Sequence, residues 1–208
     1  MDYTKNKVTM QGKIVDELTL NHEIYSEKFY SFTLVTVRRS GVEDNIKVVI
    51  SERLMIDKKF NIGDTVNVEG QFRSHNEFSE DGKNKLQLMV FAGSISHAEE
   101  EKSINEIFLD GFICKKPVYR STPMGREITD LLIAVNRGYN KSDYLPIVVW
   151  GRTARYAETL KIGMRVNLYG RIQSRTYLKH IDDETTEERT AYEVSVNRLE
   201  RFRAEEQQ

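Results

Sequence analysis

Cysteine and proline are scarce in this sequence of 208 residues, which has one cysteine, Cys114, and three prolines. A single cysteine excludes a disulfide within the chain and is compatible with a reducing compartment. No apolar run approaches the ~20 residues that a membrane-spanning helix requires, and the first residues do not have the pattern of a signal peptide. We therefore expect a cytoplasmic protein with no membrane partner.

Motifs for catalysis or cofactor binding are also lacking. The sequence contains no Gly-rich phosphate loop and no His-Glu-x-x-His, Cys-x-x-Cys or Gly-x-Ser-x-Gly motif. The histidines are scattered and do not have the spacing of metal ligands; they are His22, His75, His97 and His180. We therefore expect no enzyme activity, no metal site and no cofactor.

An internal repeat is the most informative positive feature. The pattern Ile-Gly-x-x-Val-Asn-x-x-Gly occurs at Ile62–Gly70 and again, shifted by 100 positions, at Ile162–Gly170. A repeat of that length has the size of a domain. We predict two domains, residues 1–98 (copy one) and 104–203 (copy two), joined by the charged segment Glu99–Ser103.

Both copies have the same predicted order of three strands, one short helix and two strands. This order is typical of the OB-fold, a small and partly open barrel. We therefore predict an all-β protein of two tandem OB-fold barrels, each with five strands and one short helix. The predicted elements of copy one are Val8–Val15, Tyr30–Val37, Ile46–Ile50, a helix around Glu52–Lys59, Thr65–Arg73 and Leu86–Ile95. Those of copy two are Ile107–Cys114, Ile128–Asn136, Leu145–Trp150, a helix at Thr153–Leu160 stopped by Gly163, Arg165–Arg175 and Thr190–Leu199.

The outward faces of the predicted strands differ between the copies. Side chains alternate across a strand, so Leu145, Ile147 and Val149 would fill the barrel of copy two. The residues that then point outward are Tyr144, Pro146, Val148 and Trp150, against Asn45, Lys47, Val49 and Ser51 in copy one. In the fourth strand, Tyr169 and Tyr177 of copy two stand where copy one has Glu69 and Glu77. Copy two therefore presents rings, and copy one presents polar and acidic groups.

Positive charge accompanies the rings of copy two. The whole chain has a net charge of −1, yet between Gly111 and Lys179 there are 13 Lys and Arg against 4 Asp and Glu. Exposed rings stack on unpaired bases, and Lys and Arg contact phosphates. This combination favours single-stranded nucleic acid as the partner. Aromatic residues and Arg are also enriched at protein interfaces, so packing of these rings against another subunit or against copy one is the alternative.

Copy two resembles the bacterial single-stranded DNA-binding protein family over nearly its whole length. The segments that carry the resemblance are Asn105–Gly111, Pro117–Gly125, Leu132–Arg137, Val148–Gly151, Gly170–Arg175 and Glu193–Val194. The resemblance implies an OB-fold that binds single-stranded DNA without catalysis and largely without sequence preference, in replication, recombination or repair. Copy one resembles the family only in its glycines and its hydrophobic pattern.

The resemblance also implies which residues contact DNA. The positions where the family stacks bases hold Tyr139, Tyr144, Trp150 and Tyr177 in copy two, and Gly41, Asn45, Ser51 and Glu77 in copy one. The implied phosphate contacts are Arg120, Arg137, Arg152, Arg171 and Arg175. Copy one is therefore expected to contribute little stacking and to serve assembly instead.

Assembly and partners follow from the same resemblance. Family members with two OB-folds per chain form dimers, so we expect a homodimer with four barrels that works in the cytoplasm at the nucleoid. Family members commonly end in an acidic, Phe-containing tip that recruits replication proteins, and no such tip occurs in Arg203–Gln208. Recruitment of replication proteins stays an open expectation.

Two rival functions remain open at this point. The OB-folds could be protein–protein modules of a replisome or a primosome, since primosomal replication proteins are OB-fold relatives. The chain could also bind single-stranded RNA, because an OB-fold does not in itself reject RNA.

Overall fold

The computed structural model describes residues 4–78, 84–180 and 186–202. Within these ranges the structure has a single twelve-stranded sheet that closes into two barrels. The elements of copy one are β1 (Asn6–Ile14), β2 (Thr19–Ile24), β3 (Glu27–Val37), β4 (Glu43–Ser51), a 3-10 helix (Glu52–Met55), β5 (Thr65–Phe78) and β6 (Asn84–His97). Those of copy two are β7 (Asn105–Ile113), β8 (Val118–Ser121), β9 (Glu127–Arg137), β10 (Lys141–Trp150), α1 (Gly151–Glu158), β11 (Arg165–His180) and β12 (Thr186–Arg201).

Each barrel closes in the way that the predicted OB-fold requires. In copy one, β1 pairs with both β3 and β5, and β4 pairs in parallel with β6. In copy two, β7 pairs with both β9 and β11, and β10 pairs in parallel with β12. Buried aliphatic side chains such as Leu34 and Ile133 fill both barrels. The prediction of two tandem OB-fold barrels is confirmed.

Three details of the predicted elements are wrong. The described part of each copy has six strands rather than five, because β2 and β8 form short edge strands in segments where no strand was predicted. The helix of copy one is a 3-10 helix of 4 residues that ends at Met55. Gly163 does not end α1, which ends at Glu158; with a φ of +85° it forms the turn before β11, a conformation that glycine adopts without strain.

The repeated final glycine of the sequence pattern lies at a close approach of two strands. A Cβ atom on Gly70 would lie 2.3 Å from the carbonyl oxygen of Phe91, and one on Gly170 would lie 2.3 Å from that of Ser195. The β5–β6 and β11–β12 ladders both shift register at these glycines. A β-bulge bends and twists a strand, so the pattern marks the point where each barrel curves to close.

The two barrels join edge to edge through an approximate two-fold relation. Strand β1 pairs antiparallel with β7, and Val8 lies opposite Ile107, its counterpart in the repeat. Each first strand therefore covers the edge that the other barrel would expose. A covered edge cannot pair with a further chain, so the repeat protects its own sheet edges at this junction.

A buried polar network also crosses the junction, once in each direction. Asp44 of copy one accepts a hydrogen bond of 2.7 Å from the backbone N–H of Ser174, whose hydroxyl accepts one of 2.8 Å from the backbone N–H of Asn45. In the reverse direction Asp143 accepts from the backbone N–H of Ser74 at 2.9 Å, and the Ser74 hydroxyl accepts from the backbone N–H of Tyr144 at 2.8 Å. The network fixes β4 of copy one against β11 of copy two, and β10 of copy two against β5 of copy one.

Candidate nucleic-acid interface

Trp150 is the last residue of β10, and its ring bridges two strands. Its indole Nε1 donates a hydrogen bond of 3.0 Å to the hydroxyl of Ser195 on β12. The ladder between these strands places Val148 opposite Ser195, so the ring lies along the sheet surface. The side chain is half-buried. A ring held flat in this way is a preformed platform for an unpaired base.

Tyr144 lies near the opposite end of β10 and is 46% exposed. Its backbone N–H donates to the hydroxyl of Ser74, which belongs to copy one. Because Asp143 accepts from the Ser74 backbone, two consecutive residues of β10 are held by the neighbouring barrel. Copy one therefore positions a predicted stacking residue of copy two.

Tyr139 lies in the turn between β9 and β10. Its side chain is 98% exposed, and its φ is +60°, followed by a φ of +54° at Asn140. A left-handed φ is uncommon for a bulky side chain, and such outliers cluster at functional positions. The register of the strands that flank the turn matches Ser40 to Tyr139 and Gly41 to Asn140, so the sequence alignment of Tyr139 with Gly41 is shifted by one residue; Gly41 has a φ of +82°.

Tyr177 lies on β11 and is 39% exposed. The Arg175 guanidinium lies 5.7 Å from the centroid of the Tyr177 ring. A cation at that distance is attracted to the ring face. The Tyr177 ring and the Arg175 guanidinium therefore lie close enough for one nucleotide to stack its base on the ring and place its phosphate near the cation.

The alternation of side chains along β10 was predicted correctly for the barrel interior. Leu145, Ile147 and Val149 are at most 1% exposed. Val148, which was predicted to point outward to solvent, is nevertheless buried at 4%. Because β10 is flanked by β9 and β12, a short side chain is enclosed by its neighbours on the same face, whereas Tyr144 reaches beyond them.

The predicted phosphate contacts fall into two groups. Arg152, Arg171 and Arg175 are exposed, and none of them forms an ion pair with another described side chain. Arg171 lies opposite Ser195 in the β11–β12 ladder, directly beside the residue that Trp150 contacts. Arg175 lies beside the Tyr177 ring and Arg152 follows Trp150 by two residues, so the three exposed cations are available to a polyanion.

The other two predicted contacts are engaged by carboxylates. The Arg120 guanidinium lies 2.5 Å from Asp130, and that of Arg137 lies 3.6 Å from Asp143 at the barrel junction. The Nε of Arg137 is buried without a hydrogen-bond partner among the described residues. Burial raises the pKa of Asp143, although the Ser74 backbone N–H and the charge of Arg137 act in the opposite direction. The structure thus ties Arg137 to the junction.

The described residues were also searched for a metal site, a reactive thiol and a membrane-spanning helix. No group of His, Cys, Asp and Glu in the described ranges could hold a metal ion. Burial raises the pKa of the Cys114 thiol, which disfavours the reactive thiolate. Across the residues that could be searched, no helix has the length and apolarity to cross a membrane.

Comparison with known proteins relates the sequence of copy two to a protein family. The model of the single-strand binding protein family matches residues 104–202. The "Single-stranded DNA-binding protein 1" of Clostridium acetobutylicum is 38% identical over 82 residues, which cover 36% of this chain and 74% of that protein. The chain belongs to the single-strand binding protein family.

Other relatives extend the comparison. The "Single-stranded DNA-binding protein" of Clostridium tetani is 36% identical over 81 residues, which cover 36% of this chain and 56% of that protein. The crystal structure of the wild-type single-stranded DNA binding protein from Thermus aquaticus superposes with a TM-score of 0.78 at 22% identity, covering 98% of this chain and 95% of that one. The similarity to the Thermus aquaticus protein therefore extends over both barrels and concerns the fold.

Within this member of the single-strand binding protein family, copy one differs from its prediction. The equivalents of the four rings are not aromatic, as the sequence indicates. Other rings nevertheless lie on the same face: His22 stacks on Phe29 at 4.7 Å between ring centroids, and Phe29 lies 5.7 Å from Phe91. The Arg73 guanidinium lies 4.0 Å from the centroid of Phe91. The prediction that this face of copy one lacks rings is wrong.

The buried network at the junction was also missed at the sequence level. The repeat does contain its signal, because Arg38 and Asp44 recur as Arg137 and Asp143 and Ser74 recurs as Ser174. Arg38 binds both oxygens of Asp44, at 2.7 and 2.6 Å. Polar residues that recur at matching positions of two copies indicate a shared structural role, here the contact between copies.

Proposed function

We propose that this chain is a non-catalytic single-stranded DNA-binding protein that holds DNA on copy two. Bases stack on Tyr139, Tyr144, Trp150 and Tyr177, while Arg152, Arg171 and Arg175 contact phosphates. Arg120 and Arg137, already paired with carboxylates, contribute less to the phosphate contacts. Stacking tolerates any base, so binding is largely independent of sequence.

The observation that carries this proposal is the open position of the rings after the chain has folded. The two barrels pack through β1, β7 and the Asp–Ser network, and this packing leaves Tyr144 46% exposed and Tyr177 39% exposed. The ring of Trp150 bonds within its own barrel. The alternative in which copy one covers the rings is therefore disfavoured.

The first test compares single-stranded and duplex DNA of one length. The anisotropy of a fluorescein-labelled oligodeoxythymidylate should rise when protein is added. At the same protein concentration, the anisotropy of a labelled duplex should not change. Duplex DNA hides the base faces on which this surface depends. Equal affinity for both forms would contradict the proposal.

The salt dependence of binding should report the free guanidinium groups. Each phosphate contact on a single strand contributes about 0.7 to the slope of log K against log salt. Because this slope is negative, we expect Arg171→Ala to make it shallower by about that amount. The measurement is a set of anisotropy titrations at several salt concentrations.

A matched control for Arg171→Ala is Arg155→Ala on α1. It removes the same charge, but from a guanidinium already bound to Glu127 at 2.5 Å. The slope should stay close to that of the unmodified chain. If both variants change the slope equally, the effect comes from net charge and Arg171 is not a local contact.

We propose that copy one serves mainly to assemble and position the particle, and that two chains associate into a homodimer of four barrels. Phe108 and Tyr169 lie 5.0 Å apart on the outer face of the joined sheet, and Arg198 lies over the Tyr169 ring at 5.0 Å. A second chain could pack on this row of half-buried rings. Mass measurement in solution should give twice the chain mass, and Tyr169→Glu should lower it to a monomer.

The process that fits such an activity is replication, recombination or repair, in the cytoplasm at the nucleoid. Competition between oligodeoxythymidylate and oligouridylate of equal length decides between DNA and RNA. A complex with a replication protein that survives salt high enough to release DNA would instead favour the role of an assembly module.

A further inference from the structure

Copy one has an aromatic ring, Phe91, on β6, whereas the corresponding ring of copy two, Trp150, is on β10. The parallel ladder of copy one places Val49 opposite Phe91, and the equivalent ladder of copy two places Val148 opposite Ser195. Phe91 therefore occupies the position of Ser195. Ser51 occupies that of Trp150, since Ser51 and Trp150 are the last residues of β4 and β10.

The two arrangements cover the same part of the sheet. In copy two the indole of Trp150 extends from β10 to the hydroxyl of Ser195 on β12. In copy one the hydroxyl is on β4, at Ser51, and the ring is on β6, at Phe91. A comparison of aligned positions one at a time records only the loss of the tryptophan. The register of the strands shows that copy one has a ring on β6 where copy two has one on β10.

Phe91 is part of a larger π-surface that extends across copy one. His22 of β2 stacks on Phe29 of β3 with an interplanar angle of 8°, and Phe29 in turn lies near Phe91 of β6. All three rings are half-buried, so they combine fixed orientation with an accessible side. Burial and the neighbouring His75 lower the pKa of His22, which favours its neutral ring.

Arg73 completes this surface with a planar cation. Its guanidinium lies 4.0 Å from the centroid of Phe91, and its Nη2 donates to Gln71 at 2.8 Å. A guanidinium plane stacks on nucleobases as an aromatic ring does. Arg73 therefore adds a second planar group to this surface, next to Phe91.

The charge on this face is compatible with a polyanion. Glu27 is engaged by the Arg53 guanidinium at 2.8 Å and by the Ser51 hydroxyl at 2.5 Å. Lys47 lies on the same face of β4 as Ser51, because both are at odd positions of the strand. The negative charge of Glu27 is thus compensated, and Lys47 adds a positive charge to the same face.

We propose that copy one has its own nucleobase-stacking surface, formed by Phe91, Phe29, His22 and Arg73, which receives single-stranded DNA that has left copy two. This inference rests on the proposed function, because it assigns the same ligand to a second site. The chain then has two stacking surfaces of different composition, a tryptophan-centred one and a phenylalanine–arginine one.

A single-tryptophan variant tests this site separately from copy two. The double variant Phe91→Trp with Trp150→Phe places the only tryptophan of the chain on copy one. A saturating oligodeoxythymidylate should quench its emission as bases stack on it. Tyr156→Trp with Trp150→Phe is the matched control, because Tyr156 is a 43% exposed ring on α1, outside both surfaces; its emission should not change.

Affinity supplies an independent measurement. Phe91→Ser gives copy one the residue that copy two has at this position, so the barrel should keep its fold. We expect a roughly 5- to 150-fold weaker affinity for an oligonucleotide long enough to span both barrels, the range for the loss of one stacked base. Circular dichroism verifies that the variant is folded.

The outcomes separate the two proposals. Normal DNA binding without quenching at position 91, and without an effect of Phe91→Ser, overturns the second surface and leaves the proposed function intact. No change in the anisotropy of labelled DNA with the unmodified chain overturns both. Quenching together with the loss of affinity supports both.

Discussion

Replacing Trp150 by alanine should weaken the binding of single-stranded DNA by roughly 5- to 150-fold, because a stacked base contributes about 1–3 kcal/mol. The ring lies along the sheet and is held by Ser195, so its removal takes away a preformed platform. The measurement is the anisotropy of a labelled oligodeoxythymidylate at a fixed salt concentration.

Trp150→Phe is the control for that variant. It keeps an aromatic face but loses the hydrogen bond to Ser195, so most of the affinity should remain. A loss as large as that of Trp150→Ala would show that the hydrogen bond, and not the ring, supports binding. Unchanged affinity in Trp150→Ala would exclude Trp150 from the binding surface.

Replacing Asp44 by alanine should have the largest effect on stability. Asp44 is fully buried, accepts two hydrogen bonds from Arg38, and accepts a third from the Ser174 backbone of the other copy. Removing one partner of a buried ion pair costs about 3–5 kcal/mol. Because Arg38 is 21% exposed, we expect the lower end of that range, measured as the free energy of unfolding in guanidinium chloride.

The matched control is Asp130→Ala, which breaks another pair between arginine and aspartate. Arg120 and Asp130 are 50% and 36% exposed, and an exposed pair contributes about 0–1 kcal/mol. A similar loss of stability in both variants would show that the junction network is not a special stabilising feature. A loss confined to Asp44→Ala would identify the contact between barrels as a main determinant of stability.

Much of the fold could be predicted from the repeat. The recurrence of Ile62–Gly70 at Ile162–Gly170, with strand patterns around it, was enough for two tandem OB-fold barrels. The short strands β2 and β8 were not predicted, because they are edge strands of 6 and 4 residues with exposed or half-buried side chains. Such segments lack the apolar alternation by which a half-buried strand is recognised.

The residues of the candidate site could be predicted only where a single position of the sequence matches a position of the family. The positions of Tyr139, Tyr144, Trp150 and Tyr177 follow from the resemblance to the family, and their roles stay predictions. The rings of copy one were missed because Phe91 replaces Trp150 from a neighbouring parallel strand. That relation depends on the register between β4 and β6, which the sequence does not specify.

The junction shows a similar limit. Asp44 and Asp143 each lie in a polar stretch of sequence, and their burial arises only when a strand of the other barrel, β11 for Asp44 and β5 for Asp143, packs beside them. Ser74 and Ser174 have the complementary position. Contacts between repeats depend on the relative placement of two domains, which the hydrophobic pattern of each domain does not encode.

The proposed asymmetry has a consequence for how the chain would handle DNA. Copy two combines rings with Arg152, Arg171 and Arg175, which form no ion pair with described side chains. In copy one, Arg38 is engaged by Asp44 and Arg53 by Glu27, beside the proposed phenylalanine–arginine surface. A strand should therefore bind copy two first and extend to copy one when it is long enough. The number of nucleotides covered per chain should then increase with the length of the oligonucleotide until both surfaces are occupied.

The central claim is most directly tested by the fluorescence of Trp150, the single tryptophan of the chain, during titration with oligodeoxythymidylate at low and high salt. We predict saturable quenching at low salt whose midpoint moves to higher DNA concentration as salt increases. Emission that stays constant throughout the titration at low salt, with the protein folded, would contradict the stacking of bases on copy two.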